Sequence, residues 1–224
     1  MMSGKTLAVA LMAGGRSTRM GQDKACLKDR EGRPLWQGRL MLLQELKADE
    51  VLISCREAQP YLAESGDRLV FDRWENAGPL GGIVSCLEAM QSDFLLVLAV
   101  DLPGMTKLGL ETLLAAAMPQ GFADSPSLPA LYAGANGQDG MPKAPSFGAV
   151  FRNGGFLEPL VAVYPKWMAA SGWRRLEDGQ FSLQQWIGEA GAAIQIVDAP
   201  AEWAGLFANL NDPVSWERWI AEEG

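Results

Sequence analysis

Leu7-Ala8-Val9-Ala10-Leu11-Met12-Ala13-Gly14-Gly15-Arg16-Ser17-Thr18-Arg19-Met20-Gly21-Gln22-Asp23-Lys24 decides the reading of this chain. The apolar run Leu7 to Met12 is long enough for one buried β-strand and too short for a helix of ordinary length. A glycine pair follows at the strand end. It lets backbone N–H groups come close to a ligand, because no Cβ stands in the way. Two arginines and a lysine lie within the next nine residues, Arg16, Arg19 and Lys24. Strand, glycine turn and cations in that order suit a nucleoside triphosphate. The spacing is not that of a Walker loop: five residues separate Gly15 from Gly21, and Lys24 is followed by Ala25. The GxGxxG of dinucleotide-binding folds is absent too.

Composition narrows the classes. The chain has 224 residues, 48% of them apolar, enough for one sizeable α/β core. No apolar run exceeds that of Phe94 to Val100, so no stretch matches a bilayer span, and a cytoplasmic location is expected. A net charge of −8 argues against a nucleic-acid partner. Against that background, Arg16, Arg19, Lys24, Lys28, Arg30 and Arg33 face only Asp23, Asp29 and Glu31 between residues 16 and 33. Such a basic patch in an acidic protein fits a small anionic ligand. Cys26, Cys55 and Cys86 show no CxxC spacing and read as reduced thiols. The chain contains no histidine, which removes every histidine-dependent triad and the usual general base. Its chemistry is left to carboxylates, lysine, arginine and a hard metal.

Apolar strands alternate with helical patterns through the first half. This predicts a Rossmann-like, mostly parallel, doubly wound sheet with helices on both faces. The expected order is a strand at Thr6–Met12, a helix opened by Pro34, and strands at 51–53 and 69–71. Gly78-Pro79-Leu80-Gly81-Gly82 then leads into a helix to about Met90, followed by the strand Phe94 to Val100 and a helix capped by Thr106. From Pro119 to Gly155 glycine and proline dominate, which reads as an irregular stretch with a short strand near 147–151. A strand at 160–164, helical patterns at 166–170 and 183–189, a strand at 194–197 and a helix from Pro213 complete the pattern. The whole of 1–224 reads as one domain, with a loop insertion at about 121–149.

In a parallel sheet, residues just past the strand ends line the ligand crevice. Asp72 follows the third strand and Asp101 the fourth, so both are expected beside the glycine turn. Asp101 is the candidate Mg²⁺ ligand, sharing the ion with triphosphate oxygens. Lys24 and Arg19 are the candidate phosphate cations, one a point charge and the other a fork. Gly78-Pro79-Leu80-Gly81-Gly82 has the composition of a second close-approach loop. These parts suit phosphoryl or nucleotidyl transfer, and a phosphate-monoester acceptor would fit the missing histidine. Such an acceptor has a second pKa of about 6, so it attacks without a strong protein base. Catalysis then reduces to alignment and charge neutralisation.

At this point the residues resemble a family, the MobA-type molybdenum cofactor guanylyltransferases of the nucleotidyltransferase superfamily. The likeness rests on Met12 to Lys24, on Asp72 with Gly78 to Gly82, and on Val100-Asp101-Leu102-Pro103. It extends to Glu158 through Tyr164 and to Asn209-Leu210-Asn211-Asp212-Pro213. It implies a nucleotide-diphospho-sugar-transferase type of fold and Mg²⁺-dependent transfer of GMP from GTP to the terminal phosphate of the molybdenum–molybdopterin cofactor. By that resemblance Met12, Ala13, Gly14, Gly15, Lys24, Asp72, Gly78, Pro79 and Asp101 serve GTP. Asn209 and Asn211 serve molybdopterin. Ser54 stands where the family often has asparagine after the second strand, which shortens or removes one nucleotide contact. Asp212 replaces a common threonine. GTP and molybdenum cofactor are the expected small-molecule partners, with transient contact to cofactor-inserting proteins or molybdoenzymes. A sister cytidylyltransferase, a sugar-phosphate nucleotidyltransferase and a non-catalytic cofactor-binding adaptor remain as alternatives.

Overall fold

Seven strands form one sheet in the computed structural model, in the order β3-β2-β1-β4-β6-β5-β7. Residues 5–15, 23–57, 59–74, 76–117, 148–210 and 212–221 are described. The strands are β1 (Leu7–Met12), β2 (Glu50–Cys55), β3 (Arg68–Phe71), β4 (Phe94–Ala99), β5 (Gly148–Asn153), β6 (Phe156–Pro165) and β7 (Ile194–Asp198). The helices are α1 (Leu35–Gln44), α2 (Pro79–Ala89), α3 (Lys107–Ala117), α4 (Met168–Glu177), α5 (Leu183–Ala190) and α6 (Pro213–Ala221). β1 pairs in parallel with β2 and β4, and β2 with β3, so these four strands end on one edge. β6 alone among the seven runs against its neighbours β4 and β5.

Alternation along β1 sorts the two faces. Val9 and Leu11 pack with Leu40 and Leu43 of α1 and Leu110 and Leu113 of α3. Ala8 and Ala10 pack with Ile83 and Leu87 of α2 and with Met168 and Trp186 of α4 and α5. Trp216 and Trp219 of α6 lean on the first of these cores. Every residue of β4 is buried, as expected of a central strand covered on both faces. Thr106 caps α3: its Oγ1 accepts from the Gly109 N–H at 3.3 Å.

Several boundaries differ from the sequence reading, among them the start of α2, which runs from Pro79 and takes in Gly81 and Gly82 of the expected loop. β5 runs from Gly148 to Asn153, two residues past the short strand expected near 147–151, and includes the last two residues of the expected insertion. β6 starts at Phe156, four residues ahead of the expected strand. A two-residue link, Gly154 and Gly155 with φ of 56° and 90°, joins the pair. That hairpin geometry needs left-handed φ at both positions, so its glycines are strand connectors and not part of a long loop. Ser54 lies inside β2, paired with Met12 and Val70, and not beyond the strand. α4 continues to Glu177 through Ser171 and Gly172, two residues that blur the helical pattern. A Cβ at Gly172 would collide with Val84, so this glycine allows α4 to close on α2. Residues 118–147, Arg19 and Asn211 lie outside the described residues.

Candidate active site

The shared edge of β1, β2, β3 and β4 opens into a cleft of about 920 Å³. Met12, Ala13, Gly14, Gly15, Lys24, Ser54, Asp72, Gly78, Pro79 and Asp101 all line it. The sheet therefore gathers ten of the residues singled out from sequence. Asn209 does not line it and is exposed. It is nevertheless tied to the same corner, because the next residue, Leu210, donates its N–H to the Asp101 carbonyl at 3.1 Å.

The glycine turn grows directly out of β1. The Met12 carbonyl accepts from Val100 N–H at 3.2 Å, and Ala13 N–H donates to the Ser54 carbonyl at 2.8 Å. A side chain at Gly15 would enter open space, whereas one at Gly14 would touch Cys55 and Arg56 at 3.7 to 3.9 Å. Neither glycine has a positive φ. Their value is the bare backbone they present to the cleft, not a strained turn.

Lys24 opens a short 3-10 turn, Lys24–Cys26, capped by Asp23. Its Nζ sits 3.0 Å from Oδ2 of Asp101, with both side chains less than one-fifth exposed. The turn that follows Asp101 is held from α1. Arg39 donates through Nη1 to the carbonyls of Met105 at 2.9 Å and Leu102 at 3.5 Å. Burial holds the Arg39 guanidinium below its ordinary pKa.

Asp72 caps its own turn, with Oδ1 accepting from Trp74 N–H at 2.9 Å. Burial raises its pKa above the usual carboxylate value, and the Trp74 N–H only partly offsets this. α2 begins immediately above it. Gly78, with φ of 62°, turns the chain into the helix, and Pro79 fills the first helical position. A Cβ on Gly81 would lie 2.5 Å from Asp72 Oδ1, and one on Gly82 2.5 Å from Ser54 Oγ and 2.9 Å from the Met12 methyl. The two glycines therefore seat the first turn of α2 flush against the acid and the floor of the cleft.

Sequence reasoning missed the group that holds the turn in place. Asp23 Oδ2 accepts from Gln59 Nε2 at 2.8 Å, from the Tyr61 hydroxyl at 2.8 Å and from Arg56 Nη2 at 3.4 Å. Burial, helped by Asp23, pushes the Tyr61 hydroxyl pKa up. Nothing local in the sequence signals this group, since its partners are 33 to 38 positions apart. Trp74 and Leu160 were missed as cleft-lining residues for the same reason.

The donor set fits Mg²⁺. Asp72 and Asp101 supply hard carboxylate oxygens to one cleft. No group of three or more potential ligands occurs among the described residues. A site of one or two carboxylates completed by phosphate oxygens and water is how this ion is commonly held.

Residues 9–193 match the family model of the MobA-like NTP transferase domain. A molybdenum cofactor guanylyltransferase of Pseudomonas paraeruginosa is 31% identical over 92% of this chain and 90% of its own length. The fold is shared with molybdopterin-guanine dinucleotide biosynthesis protein A from Archaeoglobus fulgidus, at a TM-score of 0.65 and 19% identity, covering 95% of this chain and 96% of that one. It is also shared with 2-C-methyl-D-erythritol 4-phosphate cytidylyltransferase from Thermus thermophilus, at 0.64 and 16%, covering 95% and 96%. With a strand-end glycine turn, a lysine–aspartate pair and a sequence match over well more than half its length, the chain belongs to the MobA-like NTP transferase family.

Proposed function

We propose that this protein transfers GMP from GTP to the terminal phosphate of the molybdenum–molybdopterin cofactor, giving molybdopterin guanine dinucleotide and pyrophosphate. The observation that carries the reading is the Lys24–Asp101 pair at 3.0 Å, beside the bare Gly14–Gly15 backbone in one cleft. The guanylyltransferase relative from Pseudomonas paraeruginosa supports the choice of base and acceptor.

In this mechanism a terminal phosphate oxygen of the acceptor attacks the α-phosphorus of GTP. The bond from that phosphorus to the bridging oxygen of the β-phosphate breaks, and pyrophosphate leaves with the electron pair. No proton has to be removed by the protein, because the acceptor phosphate is largely ionised at neutral pH. Gly14 and Gly15 let the polyphosphate lie close to the backbone. Lys24 neutralises charge on the leaving phosphates as a compact cation, and Arg19 would add a fork to the same group. Asp101, with Asp72 in reach of the same cleft, would hold Mg²⁺ against the phosphate oxygens. When bound, the ion supplies charge neutralisation and in-line orientation. The flush first turn of α2 at Gly78 and Pro79, with Ser54 beneath, forms the wall for the nucleoside. Asn209, next to the Asp101 corner, serves the pterin side together with Asn211. Chain 1–224 acts as one nucleotidyltransferase unit, working in the cytoplasm and passing its product to cofactor-inserting proteins or molybdoenzymes.

The test is pyrophosphate release with Mg²⁺ and molybdenum cofactor, offering GTP, CTP, ATP and UTP separately. Release with GTP alone is expected. Release mainly with CTP would keep the chemistry and move the chain to a cytidylyltransferase. No release with any nucleotide, from folded protein and competent acceptor, would overturn the reading and leave a different acceptor or a silent binder.

A further inference from the structure

Gln59 is a polar side chain with only 1% of its surface exposed, and it lies in no strand and no α-helix. Its amide is fully used. One Nε2 contact reaches the Ala13 carbonyl at 2.9 Å, and another reaches Asp23 Oδ2 at 2.8 Å. Its Oε1 accepts from the Arg56 N–H at 3.0 Å. The Tyr61 hydroxyl lies 3.1 Å from the same nitrogen and donates to Asp23. The amide can adopt only one orientation. A flip would set Oε1 against a carbonyl and a carboxylate and leave the Arg56 N–H facing a donor.

The two oxygens it grips are not equivalent neighbours. Ala13 is the residue before the Gly14–Gly15 turn, and Asp23 is the residue before Lys24. Ala13 and Asp23 are 10 positions apart in sequence, and Gln59 lies 46 and 36 positions from them. Their separation in space sets the distance between the bare backbone and the lysine ammonium. Polyphosphate has to meet both at once.

Resting on the nucleotidyltransferase reading above, we infer that Gln59 is a positioning residue: by bridging the Ala13 carbonyl and the Asp23 carboxylate it fixes Lys24 relative to the glycine turn, and so sets the fit of the triphosphate. It touches no reacting atom. Buried groups of this kind act through geometry, and small misplacements at a reacting centre are costly. Glutamine is required at this position because glutamate has the same shape but no donor hydrogens when ionised, and would face Asp23 with like charge.

The experiment compares Gln59→Glu with wild type in steady-state kinetics, using Mg²⁺-GTP and molybdenum cofactor, alongside Tm. The expected result is a KM for GTP raised tenfold or more, with the KM for the acceptor unchanged. Protonating the carboxylate that this substitution introduces restores a donor. The ratio of variant to wild-type KM for GTP should therefore shrink as pH falls and grow as it rises, which lost bulk alone would not produce. An active wild type beside a folded Gln59→Glu enzyme with unchanged KM for GTP would overturn the positioning role and leave the function intact. A KM raised by the same factor at every pH, or raised equally for both substrates, would overturn it as well. Wild type inactive with all four nucleotides would instead overturn the reading beneath it. Should Gln59→Glu fail to fold, Asp23→Asn tests the same bridge from its other end. A KM for GTP raised at least threefold supports the role, and an unchanged value overturns it.

Discussion

Lys24 Nζ and Asp101 Oδ2 lie 3.0 Å apart across 77 positions of sequence. One stands just beyond the glycine turn of β1 and the other just beyond β4. Parallel pairing of β1 with β4, from Leu7 with Phe94 to Met12 with Ala99, delivers both to one edge. The pair joins the cation proposed for phosphate to the carboxylate proposed for the metal.

Removing either partner separates binding from turnover. Asp101→Asn should fold normally and lose at least 100-fold in turnover with Mg²⁺, roughly the scale expected when a group stabilising transition-state charge is removed. Near-normal turnover in that variant would refute the assignment. Lys24→Ala should weaken GTP binding by roughly 10- to 100-fold, as for a lost charge-assisted hydrogen bond worth about 1.5–3 kcal/mol. Titration calorimetry with GTP and Mg²⁺ checks this, and unchanged affinity counts against the turn as a phosphate site.

Asp72 gives a prediction with a definite sign. Burial raises its pKa in the folded protein above the ordinary 3.8, opposed only by the Trp74 N–H. The folded state thus holds this proton more tightly than the unfolded one. The stability linked to it is fully present below pH 3.8 and is lost as pH rises through the raised value. At neutral pH the ionised carboxylate is therefore a net cost, and Asp72→Asn should raise Tm slightly while weakening GTP binding. Melting curves from acid to neutral pH check it: the Tm difference should be largest at the upper end and disappear at the lower.

Gly82→Ala tests the flush seating of α2. The added methyl would meet Ser54 Oγ at 2.5 Å and the Met12 methyl at 2.9 Å, both of them able to move toward the cleft. Overpacking of this kind costs about 1–3 kcal/mol in a rigid core. Here part of the strain can be relieved into the nucleotide wall, so KM for GTP should rise more than Tm falls. Kinetics and thermal melting on the same preparation separate the two.

Arg39 is half-buried and donates to two carbonyls of the turn after Asp101. Arg39→Leu takes the side-chain donor from both carbonyls; Leu102 keeps the Met105 N–H at 3.2 Å, so the loss falls mainly on the Met105 carbonyl, at about 1–3 kcal/mol. Unfolding in urea should show that loss, and turnover should fall with KM for GTP little changed, since the turn orients Asp101 and not Lys24. A raised KM with turnover untouched would argue against this role.

Much of this architecture could be read from the chain because its cues are local. The unbroken apolar run of β4, the helix start at Pro34 and the Thr106 cap each sit within a few residues of the element they define. Asp72 and Asp101 were legible for the same reason, as carboxylates just beyond apolar runs. The parts that stayed hidden depend on distant contacts. The grip of Gln59 on Ala13 spans 46 positions, and no periodicity announces it. The start of β6 was obscured by Gly154 and Gly155, whose hairpin role appears only once β5 and β6 are paired. Ser54 looked like a post-strand residue because β2 continues through Cys55, beyond its obvious hydrophobic triplet.

The complete burial of β4 gives the two charges at this site unequal freedom. A central strand hydrogen-bonded on both sides opens only when the whole molecule does, so its amides should be among the slowest to exchange with deuterated water. Asp101 hangs from the end of that strand and inherits its stillness. Lys24 hangs from a three-residue turn, held at Asp23 by the side chains of Gln59, Tyr61 and Arg56. One pole of the site is fixed to bedrock and the other is moored: the carboxylate takes its place from the sheet, and the cation takes its place from the three side chains that grip its turn.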